Sequence, residues 1–440
     1  MLPRQEGAEF WDVVPARLLE AEHPVARVGH EVLPVHLGPL RIVIVNGPRQ
    51  SGKTTMLKQY QLAHGGSYRT LDNRQDQEAA VADPVAFAGE GERPRLIDEV
   101  HRGGDWLIRA IKMVVDADSS PGQFILSGSS RFLTVPTLSE SLAGRAVFLD
   151  LWPLSVAERT GGPTDFFSRL FDAAGSGIAG HESGWTRDDY IRVICEGGFP
   201  EVLPLTSAVV RRAWYDGYLT TVINRDISEF AEIGKASAIP RLLGLVAARS
   251  GSPLVVADLA RSADLDRTTT RNYLTYLDTV FLTVEVAPWS TNLTKRLSKT
   301  PKVFMTDSGL AAHLLGVTAP DLQRVGHPAL GSLLETFVLT ELLKLRTVSQ
   351  VPVGVWQLRE GEDREIDFVL EGPGGAVVGI EVKATTSPGA DTARHLRWFK
   401  EKIGDRFQAG IVFHLGSRPS SFGDAIQAVP VSALWGHAAL

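Results

Sequence analysis

The sequence predicts an α/β protein that opens with a parallel sheet covered by helices on both faces. Short, wholly apolar runs of the kind found in buried parallel strands alternate with segments whose apolar residues recur every three or four positions. The first of these runs, RIVIVN from Arg41, passes through a glycine-rich turn straight into the helical pattern MLKQYQLA. The 440 residues are 44% hydrophobic and 22% charged, the balance of a chain that buries real cores, and their length asks for about three domains.

The elements follow in order. SYRTLD at 67–72 reads as a second strand, Leu96 and Ile97 as the end of a third, QFILS at 123–127 as a fourth and AVFLDL, ending at Leu151, as a fifth. DWLIRAIKMVVDA from Asp105 is an amphipathic helix between the third and fourth, and alternation of this kind makes a parallel sheet. After Trp152 and Pro153 the composition shifts. Residues 160–189 are rich in Gly, Ser and Asp, as in a surface excursion, and about 190–232 reads as helical, suiting a lid over the first domain.

Residues 238–306 predict helix, helix, turn, helix and two short strands, the pattern of a winged helix, with Tyr273, Leu274, Leu277 and Phe281 on one buried stripe. From about Gly331 comes a helix, SLLETFVLTELLKL, then the strands VWQLR, EIDFVLE and AVVGIEVKA, a helix HLRWFKEKI and a strand AGIVFHL. The expected domains are the sheet domain over 1–155, a helical lid over 156–235, a winged-helix module over 236–310 and a second α/β domain over 311–440.

The turn after the first strand, Gly47, Pro48, Arg49, Gln50, Ser51, Gly52, Lys53, Thr54 and Thr55, satisfies G-x-x-x-x-G-K-[ST] in its proper setting of strand before and helix after. Glycines there let main-chain N–H groups curl round phosphate oxygens. Lys53 reaches the terminal phosphates, and the Thr54 hydroxyl ligates Mg²⁺. ATP and Mg²⁺ are therefore the expected ligands. Asp98 and Glu99, at the end of another strand, supply the second acidic element: Asp98 holds Mg²⁺ through water, and Glu99 acts as general base on the attacking water. In the run Ser127 to Ser130, Ser129 is the first choice to sense the γ-phosphate, with Ser127 close behind. Arg145 is preferred over Arg131 and Arg225 as the guanidinium that completes the site.

Farther on, Glu335 on a helix, Asp367 in EIDFVL, and Glu381 with Lys383 in IEVK follow the spacing of a PD-(D/E)xK nuclease core. A strand hairpin would bring Asp367 and Glu381 together on a divalent ion, with Lys383 on the same face as Glu381 and Glu335 adding a metal contact; Glu365 is an alternate ligand. The same residues also suit a partly buried ion-pair cluster without turnover. In the middle module Arg241, Arg249, Arg261, Arg267, Arg271, Lys295, Arg296, Lys299 and Lys302 outnumber the acidic residues, and DNA is the expected partner, with Thr268 to Asn272 toward the bases and Lys295, Arg296 and Lys299 on phosphates.

Composition narrows the rest. A net charge of −6 removes the picture of a wholly basic nucleic-acid binder, and the single Cys195 forms neither an internal disulfide nor a cysteine-rich zinc site. The opening MLPRQEGAEFWDVV lacks the pattern of a secretory leader. No apolar run approaches the roughly 18 residues of a spanning helix, so a cytoplasmic protein without membrane partners is expected.

GPRQSGKTT, LIDEV, ILSGSSRFL, LAGR, LWPLS, the RDI at 225–227, TDSGLAAHL, GSLLETFV, REIDFVL and GIEVK together resemble the bacterial and archaeal AAA-type P-loop ATPases that carry a C-terminal restriction-endonuclease-like domain of unknown function. The resemblance runs from about Arg41 to the C-terminus. It implies the fold branch with a catalytic glutamate, in which an additional strand, here expected to be SYRTLD, separates the phosphate loop from the acidic strand. It implies ATP hydrolysis coupled to DNA-binding or nuclease-like modules, with a nucleotide-driven signalling or assembly switch as the alternative. A homo-oligomer or a protein partner would fit either.

Overall fold

The computed structural model describes residues 25, 27, 29–129, 131, 142–171, 176–227, 237–292, 296, 299–361, 363–423 and 425–436. Its first unit runs α1 (Gly29–Leu37), β1 (Ile42–Asn46), α2 (Lys53–His64), β2 (Ser67–Thr70), α3 (Arg74–Ala82), α4 (Pro84–Gly89), β3 (Arg95–Asp98), α5 (Gly104–Ala117), β4 (Phe124–Gly128) and β5 (Ala146–Asp150). The strands form one sheet in the order β2-β3-β4-β1-β5, and every pairing is parallel.

β1 is buried at every position, which is why IVIVN shows no alternation. Ile42 and Ile44 join Leu107, Ile108 and Ile111 of α5 on one face, while Val43 and Val45 join Met56 and Leu57 of α2 on the other. The additional strand between the phosphate loop and the acidic strand is present in space, but it is not SYRTLD. β4 pairs with both β1 and β3, and β2 lies outside β3 at the sheet edge. Crossover connections carry successive strands past one another, so chain order does not give neighbours in the sheet.

The remainder begins with α6 (Val156–Thr160), α7 (Phe166–Phe171), α8 (Ser176–Ala179), α9 (Arg187–Glu196) and α10 (Ala208–Thr221). Next come α11 (Ala238–Ala248), β6 (Ser252–Pro253), α12 (Val256–Ala263), α13 (Arg267–Thr279), β7 (Thr283–Val286) and β8 (Lys302–Met305), whose strands make a small antiparallel sheet in the order β6-β8-β7. The last part holds α14 (Ser308–Leu315), α15 (Ala319–Gln323), α16 (Ala329–Val348), β9 (Gly354–Glu360), β10 (Arg364–Glu371), β11 (Val377–Lys383), α17 (Arg394–Ile403), β12 (Phe407–His414), β13 (Ser420–Ser421) and β14 (Ile426–Pro430). Its six-stranded mixed sheet has the order β13-β14-β12-β11-β10-β9.

These parts share one core. Tyr190 and Ile194 of α9, Leu242 of α11, Leu277 of α13, Leu310 of α14, Phe337 of α16 and Phe368 of β10 belong to a single apolar cluster. The helices of the expected lid over 156–235 pack into the C-terminal body, and the apolar cluster continues across positions 235 and 310. A strand-and-helix reading finds amphipathic faces but not what each face meets.

The middle module also spends its charge differently from expectation. Arg296 ion-pairs with Glu371 at 2.7 Å and lies over the rings of Trp356 and Trp289. Lys302 is 1% exposed. Neither faces solvent phosphates, and Lys295 lies outside the described residues. Arg267, Thr268, Arg271 and Asn272 are exposed on α13.

Candidate nucleotide site

The turn from β1 to α2 is shaped by close approach and by backbone sign. A Cβ on Gly47 would run into the carbonyl of Leu151, and Gln50 and Gly52 take φ values of 60° and 94°. No side chain of the N-cap Gly52 caps α2, and the start of a helix presents the positive end of its dipole, which favours an anion. Lys53 is buried, and its ammonium sits 2.9 Å from the carbonyl oxygens of Gly47 and Pro48.

Asp98 gathers the ends of the neighbouring elements. Its carboxylate accepts from the Thr54 hydroxyl at 2.6 Å, from the Tyr68 hydroxyl at 3.1 Å and from the Ser127 hydroxyl. Glu99 follows in the left-handed region (φ 52°), with its N–H donating to Ser127 Oγ at 3.3 Å and its carboxylate 3.4 Å from His101 Nδ1. Burial pushes the Glu99 carboxyl above its ordinary range, with the Lys53 ammonium opposing. Raised proton affinity suits a general base.

A cavity of about 570 Å³ opens beside these groups. Arg49, Lys53, Thr54 and Glu99 line its polar end, and Leu154, Pro200, Leu203 and Pro204 line the opposite wall. That wall is held from the C-terminal body. Gly198 donates its N–H to Asp307 at 2.8 Å and accepts from Leu154 N–H at 2.8 Å, while Asp307 also caps α14 through Leu310 N–H. On the other side Lys344 donates to the Leu154 carbonyl at 3.1 Å and pairs with Glu341, which accepts from Val156 N–H. LWPLS and TDSGL thus come together through buried hydrogen bonds.

The other expected site residues divide. Ser127, rather than the preferred Ser129, is the serine bonded to Asp98; Ser129 lies buried two residues on. Arg145 is not at this site within the chain. It precedes β5 at the end of the sheet where Ile42 pairs with Ala146, opposite the phosphate loop, and forks onto Asp116 at 2.5 and 2.9 Å. Arg131 packs on Phe281, 4.5 Å from the ring centroid, and its N–H donates to Thr279 O. Arg225 is exposed in the π-helical stretch Val222–Ile227. Instead Arg27 lines the cavity, buried and bonded to Trp152 O at 2.6 Å. Neither Arg27, just before α1, nor Tyr68, in β2, carries a sequence signal that sets it apart from an ordinary residue.

The C-terminal carboxylates do meet, but around ammonium groups. Antiparallel β10 and β11 bring Asp367 and Glu381 together, and α16 adds Glu335. Lys302 Nζ, from β8, stands 2.9 Å from Glu335 and 2.6 Å from Glu365. Lys383 Nζ stands 2.6 Å from Glu381 and 3.9 Å from Asp367, and His395 lies 3.8 Å from Glu381. Burial, then the charge of Asp367, pushes Glu335 and Glu381 up, each to about 8. Among the described residues no group of three or more His, Cys, Asp or Glu side chains is placed to hold a metal ion. The residues expected as a metal set, Glu335, Asp367 and Glu381, stand with Lys302 and Lys383 in a lysine–carboxylate cluster.

The AAA domain profile matches residues 40–160, and two domains of unknown function follow, DUF8612 over 187–321 and DUF4143 over 330–434. Over 376 residues the chain is 30% identical to the uncharacterized protein Rv2008c of Mycobacterium tuberculosis, covering 85% of this chain and 76% of that one, and equally to Mb2031c of Mycobacterium bovis. The chain belongs to the family of these mycobacterial proteins. Its N-terminal domain is a P-loop ATPase domain of the AAA type. Among solved structures, the Walker-type ATPase PABY2304 of Pyrococcus abyssi is 14% identical, with 65% of this chain and 94% of that one covered at a TM-score of 0.38. The RuvB branch migration motor of Thermotoga maritima is 19% identical, with 59% and 88% covered at 0.27. No helix among the described residues is long and apolar enough to cross a membrane.

Proposed function

We propose that this AAA-type protein is a magnesium-dependent ATPase whose nucleotide state is passed to its C-terminal body, acting as a switch rather than as a nuclease. The supporting observation is the convergence of Lys53, Thr54, Asp98 and Glu99 at one end of the sheet, with Lys53, Thr54 and Glu99 opening into one cavity. Lys53 exchanges the Gly47 and Pro48 carbonyls for phosphate oxygens. Thr54 and Asp98 are hard oxygen donors facing each other, the kind Mg²⁺ takes beside substrate phosphates and water, and they fit that ion. When bound, Mg²⁺ neutralises charge on the β- and γ-phosphate oxygens. Glu99 orients a water and takes its proton as oxygen attacks the γ-phosphorus, releasing ADP and phosphate. The Ser127 hydroxyl ties this base to Asp98.

Coupling has a route: the same wall that closes the cavity hangs on Asp307, Glu341 and Lys344 of the C-terminal body. The switch reading is preferred over nucleic-acid cleavage because Arg296 and Lys302 turn inward and the carboxylates carry lysine partners. Exposed Arg267, Thr268, Arg271 and Asn272 support a nucleic-acid partner as the second reading. The deciding experiment measures ATP binding and turnover for wild type, Lys53→Ala and Glu99→Gln. Binding is expected to fail in the first variant and to persist in the second while turnover collapses. Unchanged turnover in both would refute the reading, and metal-dependent DNA cutting would refute the switch.

A further inference from the structure

We infer that the C-terminal carboxylate centre takes the ammonium of Lys302 as its built-in cation, so that it works as a metal-independent joint between the middle module and the last sheet. Lys302 does not belong to the sheet that carries Asp367 and Glu381. It comes from β8, where it pairs in register with Val286, and crosses to the carboxylates of α16 and β10. At 1% exposure its charge has no water to return to, and it is stable there only because Glu335 and Glu365 lie within hydrogen-bond reach on either side.

Two further oxygens are engaged, while Glu381 Oε1 is buried without a hydrogen-bond partner among the described residues. Lys383 bonds Glu381 at 2.6 Å, and Asp367 accepts the N–H of Val382 at 2.7 Å. A divalent ion needs oxygen ligands within about 2.0–2.6 Å of one point, and the lysine ammonium already holds the point between Glu335 and Glu365. A cation fixed by the chain gives the pairing a register that a diffusible ion does not: it forms only when the β6-β8-β7 sheet and α16 are docked. This inference is independent of the nucleotide reading, since none of these residues touches the phosphate loop.

The test titrates Mn²⁺ into the nucleotide-free full chain and reads bound ion by electron paramagnetic resonance, for wild type, Asp367→Asn, Lys302→Met and the double variant. Wild type and Asp367→Asn are expected to bind the same number of ions. Lys302→Met gains one site, which the double variant loses. A wild-type site abolished by Asp367→Asn overturns the inference, and so does a folded Lys302→Met that binds no more than wild type. If Lys302→Met does not fold, the pair of wild type and Asp367→Asn still decides: equal binding supports the built-in cation, and a lost site overturns it.

Discussion

The Thr54 hydroxyl donates to the Asp98 carboxylate across 2.6 Å, joining the first turn of α2 to the last residue of β3. In the proposed reading these two oxygens, from separate elements, serve one cation. Asp98→Ala is expected to weaken magnesium-dependent ATP binding while leaving binding of metal-free nucleotide much less affected, as calorimetry with and without Mg²⁺ will read.

Ser127 bridges Asp98 and the Glu99 main chain, whereas Ser129 does not. Ser127→Ala should therefore lower turnover by roughly tenfold or more, by loosening a positioned base and its neighbour. Ser129→Ala should lower it less. Steady-state rates of the two variants measured side by side give the answer, and the reverse order would assign the sensing role to Ser129.

Arg145 lies at the end of the sheet away from the phosphate loop and is engaged by Asp116. In dilute chain Arg145→Ala is expected to hydrolyse ATP at the wild-type rate. A loss of rate that appears only as concentration rises would mean that the guanidinium serves a neighbouring copy.

Asp307 caps α14 and accepts the N–H of Gly198, beneath the wall of the cavity. Asp307→Ala strands a buried donor and removes a cap, at a cost of about 2–4 kcal/mol. The denaturation midpoint should fall, and ATP affinity should fall with it because Pro200 and Leu203 lose their anchor.

Burial and then the charge of Asp367 raise the Glu335 and Glu381 carboxyls above their ordinary 4.5, with their lysine partners opposing. The folded state therefore binds their protons more tightly than the unfolded chain does. Their contribution to stability is complete below about pH 4.5 and is lost as pH rises toward 8. Glu381→Gln keeps a neutral group throughout, so its stability relative to wild type should increase across that window, as urea titrations at several pH values will show. A constant difference would mean that Glu381 carries its charge in the folded protein.

Local patterns in the chain were enough to read the parallel sheet, the phosphate loop and the acidic pair Asp98 and Glu99, because each rests on contiguous residues: an unbroken apolar run, glycines where the backbone turns, carboxylates where a strand stops. The three helices from Ala238 to Thr279 and the two strands that end at Met305 were legible for the same reason, but the short β6 between the first two helices was not. Register was not. Ser127 faces Asp98 because Ile97 pairs with Leu126, and no pattern within QFILS announces that partner. Tyr68 looked like any edge-strand aromatic until β2 lay beside β3.

What the amino-acid order determined by itself was therefore the kind of chemistry: a nest of amides, an ammonium and two carboxylates, written in short segments whose conformations depend mainly on neighbours in the chain. Only the folded molecule decided which distant groups share a charge. Lys302 and Arg296 count as surface cations in the sequence, but the fold turns them, one buried and one half-buried, onto carboxylates, because taking a charge out of water is tolerable only where packing delivers an opposite one, and that delivery depends on residues 33 and 75 positions away for these two pairs.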